Sequence, residues 1–282
     1  LHRYVKHLFN HQFVILTHTS CVGNYILVAT GLLYTHGKKT EIVDLNNSGF
    51  GCDLPDFPTN LAYAAGGVVN GIPIICGGAN STIHKNGSET ILTKHKDCYE
   101  FRKREWKLMK NISLDKPKFY FGTGINLVIK DKLLIHGGLT EDIQDKFYNF
   151  ADSSEWIGLN THMSNIPALS LGGHCNIMID KTHFMVTGGL VPHGRNASRV
   201  TNKTYYCQMD EKNLKKCIAG PDLKHRRRAH SCYQRTISGK QILHVIGGYV
   251  NNQFTNSTDE EYLDMSVDES KRQWEVGKFS FN

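Results

Sequence analysis

The chain has no apolar run of about 18 residues or more, so no transmembrane helix is expected. It has eight cysteines but no CxxC pair, which argues against a zinc ribbon or a thioredoxin-type site. Its 15 histidines form neither HxH nor HExxH, so a zinc-protease centre has no support and no metal site is expected. His7 and His11 would share a metal only on a helix. GxSxG is missing, and with it the nucleophile elbow of α/β-hydrolases. GxxxxGK[ST] is missing too, so nucleotide hydrolysis lacks its phosphate cradle. Helical periodicity never lasts beyond a turn or two. The best helical candidate is 259–271, and Tyr262 there fits a strand equally well. Prolines number seven against 26 glycines, which fits many tight turns in an ordered chain.

What is present reads as a secreted globular protein. The 282 residues, 40% hydrophobic, suffice for one sizeable core, expected as a single domain over 1–282. The chain begins at Leu1, as a mature secreted chain or a fragment would. An even cysteine count favours disulfides. Asn-X-Ser/Thr occurs at Asn46, Asn80, Asn86, Asn111, Asn196, Asn202 and Asn256, more often than composition alone would give. Most of these lie in stretches that read as loops, where a glycan can be carried. Sequons and paired cysteines together point to an extracellular glycoprotein with N-linked glycans.

One segment recurs: a short β-branched run ending in two small residues. Its copies are 26–31, 74–78, 133–138, 184–189 and 243–248. The second small residue falls at 31, 78, 138, 189 and 248, spacings of 47, 60, 51 and 59. Each run is too short for a helix and rich in strand formers. The glycines end the strand and permit positive φ. Strand-like segments precede the later copies at 62–69, 119–129, 174–179 and 229–235, joined to them by hairpin signals such as Asn70-Gly71 and Ser238-Gly239. A third strand follows around Tyr99, Tyr206 and Tyr262, and a fourth around Trp106 or Trp274. Four strands in about fifty residues is the arithmetic of a propeller blade.

Here the chain resembles the kelch-repeat family, which carries a double glycine, then a tyrosine, then a tryptophan. Gly77-Gly78, Tyr99 and Trp106 match well, and Gly247-Gly248, Tyr262 and Trp274 match with a longer gap. Gly188-Gly189 and Tyr206 are followed by Cys217 near the tryptophan slot. Thr30-Gly31 is followed by Cys52, and Gly137-Gly138 by a loosely placed Trp156. The resemblance implies an all-β, kelch-type propeller of five recognisable four-stranded blades, or six if the chain is a fragment. The strand-like end of residues 1–16 would close the ring by completing the last blade. Cysteines in first strands and near tryptophan slots imply disulfides stapling strands or blades. Cys76 with Cys98, on adjacent strands, and Cys217 with Cys232, across a blade crossing, are the expected pairs among 105 connectivities.

The sharpest charged feature is Lys224, His225, Arg226, Arg227 and Arg228, expected in a loop before a first strand. As a site, His225 to Arg228 would bind a sulfated glycan, an acidic protein or an anionic lipid. The resemblance implies a second use, since kelch repeats often carry one arginine there for packing. The net charge of +7 favours an acidic partner, and a glycosylated secreted chain disfavours nucleic acid. The expected function is a non-enzymatic extracellular module that binds a protein partner through propeller loops, or self-associates into a matrix or coat, without a cofactor. The alternatives are a glycan-binding lectin using the basic loop and a copper radical oxidase resembling galactose oxidase. No segment matches the tyrosine and histidine ligand set that such an oxidase needs.

Overall fold

The computed structural model describes residues 14–16, 25–29, 38–44, 51–83, 89–119, 127–129, 131–140, 149–151, 153–167, 169–193, 197–210, 214–251 and 255–277. Regular structure there is β, apart from one 3-10 turn at Glu269–Lys271. No helix among the described residues is long and apolar enough to cross a membrane.

Five four-stranded antiparallel sheets follow one another along the chain, each with its strands side by side in sequence order. The first comprises Val14–Leu16, Tyr25–Ala29, Thr40–Asp44 and Gly51–Leu54. The second comprises Ala65–Val69, Ile72–Cys76, Asp97–Arg102 and Glu105–Ser113. Leu127–Ile129, Lys132–Ile135, Ser153–Gly158 and His162–Pro167 form the third. The fourth is Cys175–Met178, His183–Thr187, Thr204–Met209 and Leu214–Ala219. Ser231–Ile237, Lys240–Ile246, Glu260–Asp264 and Glu275–Gly277 make the fifth. Val14–Leu16 pairs with Tyr25–Ala29 and so completes the first sheet, not the last as expected. The fifth sheet already has its fourth strand in Glu275–Gly277, paired with Glu260–Asp264.

Successive sheets meet through their first strands. Ala65–Val69 lies against Val14–Leu16 on one side and Leu127–Ile129 on the other; Cys175–Met178 lies between Leu127–Ile129 and Ser231–Ile237. With both faces covered, Ala65–Val69 is buried at all five positions. That is why this strand reads as a continuous small and apolar run without alternation. Four apolar layers fill the gaps between neighbouring sheets. They centre on Phe57 and Trp106, then Ile74 and Leu133, then Trp156 and Phe184, then Leu243 and Trp274. Burying one such side chain contributes about 1.5–3 kcal/mol.

The double glycines end the second strands and form the seams. Gly188 and Gly189 have φ of +56° and +102°, a region that disfavours residues bearing Cβ. Gly189 N–H donates to the Arg227 carbonyl at the entry to the next sheet, 2.7 Å away. A Cβ on Gly188 would stand 2.4 Å from that same carbonyl. Gly78 and Gly138 donate equivalently to the carbonyls of Lys118 and Leu171. The polar stretches after the glycines are two-stranded ribbons or bridges: Ala79–Ile83 with Glu89–Lys94, Leu139–Thr140 with Asn149–Phe150, Leu190–Pro192 with Ser198–Val200, and Tyr249 with Asn256.

Register corrects one part of the repeat. Tyr206 and Tyr262 face Met185 and His244, four residues before their second glycine, and the equivalent third-sheet residue is Trp156, opposite Leu134. Tyr99 faces Ile75 and therefore sits one position earlier, on the opposite face. Spacing alone does not reveal this, because a one-residue shift in a strand reverses the face.

Candidate functional site

The basic run occupies the segment leading into the fifth sheet. Leu223, fully buried, anchors its start by donating N–H to the Asn202 carbonyl at 2.8 Å. Four residues on, Arg227 is also fully buried. One terminal nitrogen lies 2.7 Å from Glu261 Oε1, and the other donates to the carbonyls of Gly247 and Asp259 at 2.8 and 3.1 Å. The Glu261 carboxylate also accepts N–H bonds from Lys224 and His225 at 2.6 and 3.0 Å. A buried charge is tolerated when it is paired and hydrogen-bonded in this way, here through both terminal nitrogens while Arg227 Nε finds no partner. Arg228 is 4% exposed, with its guanidinium carbon 5.3 Å from the Tyr249 ring centroid. Arg227 and Arg228 therefore serve the interior, and the oxyanion-binding role expected of them is corrected. The exposed remainder is Lys224, His225 and Arg226. His225 Nδ1 lies 3.7 Å from carboxylate oxygens of both Asp259 and Glu261, so acid is already at hand.

The same arrangement recurs at the entry to the third sheet. Lys118 Nζ is 2.7 Å from Glu155 Oε1, both residues at most 2% exposed. Asp115 N–H donates to Glu155 Oε2 at 3.0 Å, as Lys224 N–H does to Glu261. Glu155 and Glu261 occupy equivalent third-strand positions, opposite Ile135 and Val245. Asp115, Glu155 and His162 bring potential metal-ligand atoms within 4.8 Å of one another. Lys118 and His162, the latter 2.7 Å from Glu155 Oε2, already answer that carboxylate, so the ion network accounts for the grouping.

Three histidines line the seams between the third, fourth and fifth sheets. His136 Nδ1 is 2.9 Å from Ser154 Oγ, and His230 Nε2 is 2.9 Å from Thr187 Oγ1 on the preceding sheet. The His174 ring stands edge-on to His136 at 5.5 Å. Burial holds all three below the usual imidazole range: His136 to about 3, helped by nearby His174 and Lys118, His174 to about 4, and His230 well below its ordinary value. They are neutral packing groups at physiological pH.

Three disulfides are present among the described residues. Cys76–Cys98 joins adjacent strands of the second sheet, as expected. Cys217 and Cys232 do not pair with each other. Cys217 bonds Cys207, its direct strand partner in the fourth sheet. Cys232 bonds Cys175, linking the first strands of the fourth and fifth sheets. The expectation failed because Cys217 lies on an outer strand whereas Cys232 lies on a first strand. Cys21 lies outside the described residues.

Of the sequons, Asn46, Asn86 and Asn196 lie outside the described residues. Asn111 and Asn256 are exposed, and Asn80 is half-buried. Asn202 is also half-buried and its Nδ2, the atom a glycan would take, donates to the Leu223 carbonyl at 3.0 Å.

Among the described residues, a further group of exposed cations lies on the hairpin between Asp97–Arg102 and Glu105–Ser113. Arg102, Lys103, Arg104, Lys107 and Lys110 are all exposed there. Sequence inspection passed over it because its charges are interrupted by Glu105, Trp106, Leu108 and Met109. No family model matches the chain, and no curated protein matches it at a meaningful level of similarity.

Proposed function

We propose that the five sheets are the blades of a kelch-type β-propeller, and that the chain is a non-enzymatic extracellular module holding a protein partner or a further copy of itself. The observation that carries this reading is the Cys175–Cys232 bond. It joins two successive sheets across a buried seam, and bonds of this kind persist in oxidising compartments. Closing a loop of 57 residues, it contributes ~4 kcal/mol by restricting the unfolded chain. The propeller reading is supported by sheets in strict sequence order that touch through their first strands, and by glycine seams repeated at the same place. In the second to fifth sheets the ribbons or bridges after the glycines leave the same end of the sheet. That gives a rigid body one loop-bearing face, where recognition residues concentrate. The buried charged groups are committed to seam contacts, which is a structural use.

Intact mass of the natively expressed protein tests the reading, before and after glycosidase and with and without reduction before alkylation. Glycan loss together with at least three disulfides is the expected result. An unglycosylated chain with eight free thiols contradicts it.

A further inference from the structure

Three two-residue hairpins among the described residues have both central residues at positive φ, as type I′ turns require. Two have glycine second: Asn70-Gly71 and Ser238-Gly239. The third is Lys103-Arg104, with φ of +52° and +63°, closed by the Arg102–Glu105 pair. Neither residue suits left-handed backbone, and neither side chain is buried in return. Strained backbone that the interior does not reward is a mark of function.

The turn places two exposed cations at its tip. Next to the tip, Arg102 is paired with Glu100 at 2.7 Å and Lys107 with Glu105 at 2.6 Å, while Lys110 carries exposed charge further along the fourth strand. The two neighbouring acids of the hairpin are thus engaged away from Lys103 and Arg104. A stable protein interface wants a buried aromatic anchor. Here Trp106 is turned inward and Leu108 is the one strongly exposed apolar side chain. Two exposed cations at the tip, with Lys110 further along and no such anchor, fit a linear polyanion. The sequon at Asn111 lies seven residues beyond Arg104, ~23 Å along the strand at about 3.3 Å per residue, so a glycan there leaves the tip clear.

We infer that the Lys103-Arg104 hairpin binds a sulfated polysaccharide. This rests on the extracellular reading, because such polymers are extracellular, and it moves glycan recognition away from the 224–228 run.

The test uses the full disulfide-bonded chain on immobilised heparin. K103N/R104G removes both charges and installs the residues a type I′ turn prefers, so it folds at least as well as the parent. Earlier salt elution is expected, with the slope of log affinity against log salt reduced by roughly two through counterion release, and an unchanged or higher Tm. K224S/R226S is expected to elute with the parent. The proposal is overturned if the tip variant is retained like the parent, or if the loss appears in K224S/R226S instead. Equal retention on desulfated heparin also overturns it. So does displacement by polyglutamate as readily as by heparin oligosaccharide, which assigns the hairpin to an acidic protein. Intact mass of the same preparation reports separately on the extracellular reading.

Discussion

The seams entering the third and fifth sheets share one backbone with those entering the second and fourth, yet differ in two side chains. At the third and fifth, a buried cation faces a buried glutamate: Lys118 with Glu155, Arg227 with Glu261. At the second and fourth, leucine stands in the cation's place and tyrosine in the glutamate's: Leu61 with Tyr99, Leu171 with Tyr205, each pair within one apolar layer. Both members change together. The seam needs a filled volume and either a paired buried charge or none, and both solutions supply that. Half of one combined with half of the other would leave a charge alone in the interior.

The largest effect comes from breaking what both kinds of seam share. Gly188→Val places a branched side chain at positive φ and against the Arg227 carbonyl. Loss of folded protein is expected, and recovery of a parent-like Tm would contradict the seam geometry.

Next comes removing one partner. Arg227→Leu leaves Glu261 buried without its cation and is expected to cost about 3–5 kcal/mol in denaturant unfolding. Lys118→Leu should cost less, because His162 Nε2 stays within hydrogen-bond distance of Glu155 Oε2, at 2.7 Å. Equal losses would show that His162 gives no relief. Converting the fifth-sheet seam to the leucine–tyrosine type, R227L/E261Y, should destabilise less than Arg227→Leu alone. A double cycle measures that coupling, and simple additivity of the two changes would refute the paired account.

The smallest effect is graded with pH. His136, His174 and His230 have folded values depressed below the ordinary 6.5 or so of an unfolded imidazole. The unfolded chain therefore binds more protons as pH falls below that value. Stability is full above it and declines toward the folded values of about 4 for His174 and about 3 for His136. Tm should fall from pH 7 to pH 5, and less steeply in His174→Gln than in the parent. Parallel profiles would remove His174 from this role.

The seam glycines were legible in the sequence because they answer a backbone requirement that few residues meet. The strands beside them were legible because both their faces are covered. The ion pairs were not, since Arg227 and Glu261 lie 34 residues apart and no local pattern joins them. The basic run 224–228 therefore read as a surface, although its length and charge hid two interior arginines. The hairpin at Lys103-Arg104 was illegible for the opposite reason. Turn chemistry announces Asn-Gly and Ser-Gly, and nothing announces two cations forced into the same turn. Cys217 fell near the tryptophan slot as read, but its partner Cys207 emerges only from strand register.

The most direct test of the account is peptide mapping of the unreduced protein with free thiols blocked. The account predicts a peptide pair linked through Cys175 and Cys232, alongside Cys76–Cys98 and Cys207–Cys217. A Cys217–Cys232 link, or Cys175 and Cys232 recovered as free thiols, would contradict the covalent seam between the fourth and fifth sheets and the extracellular reading built on it.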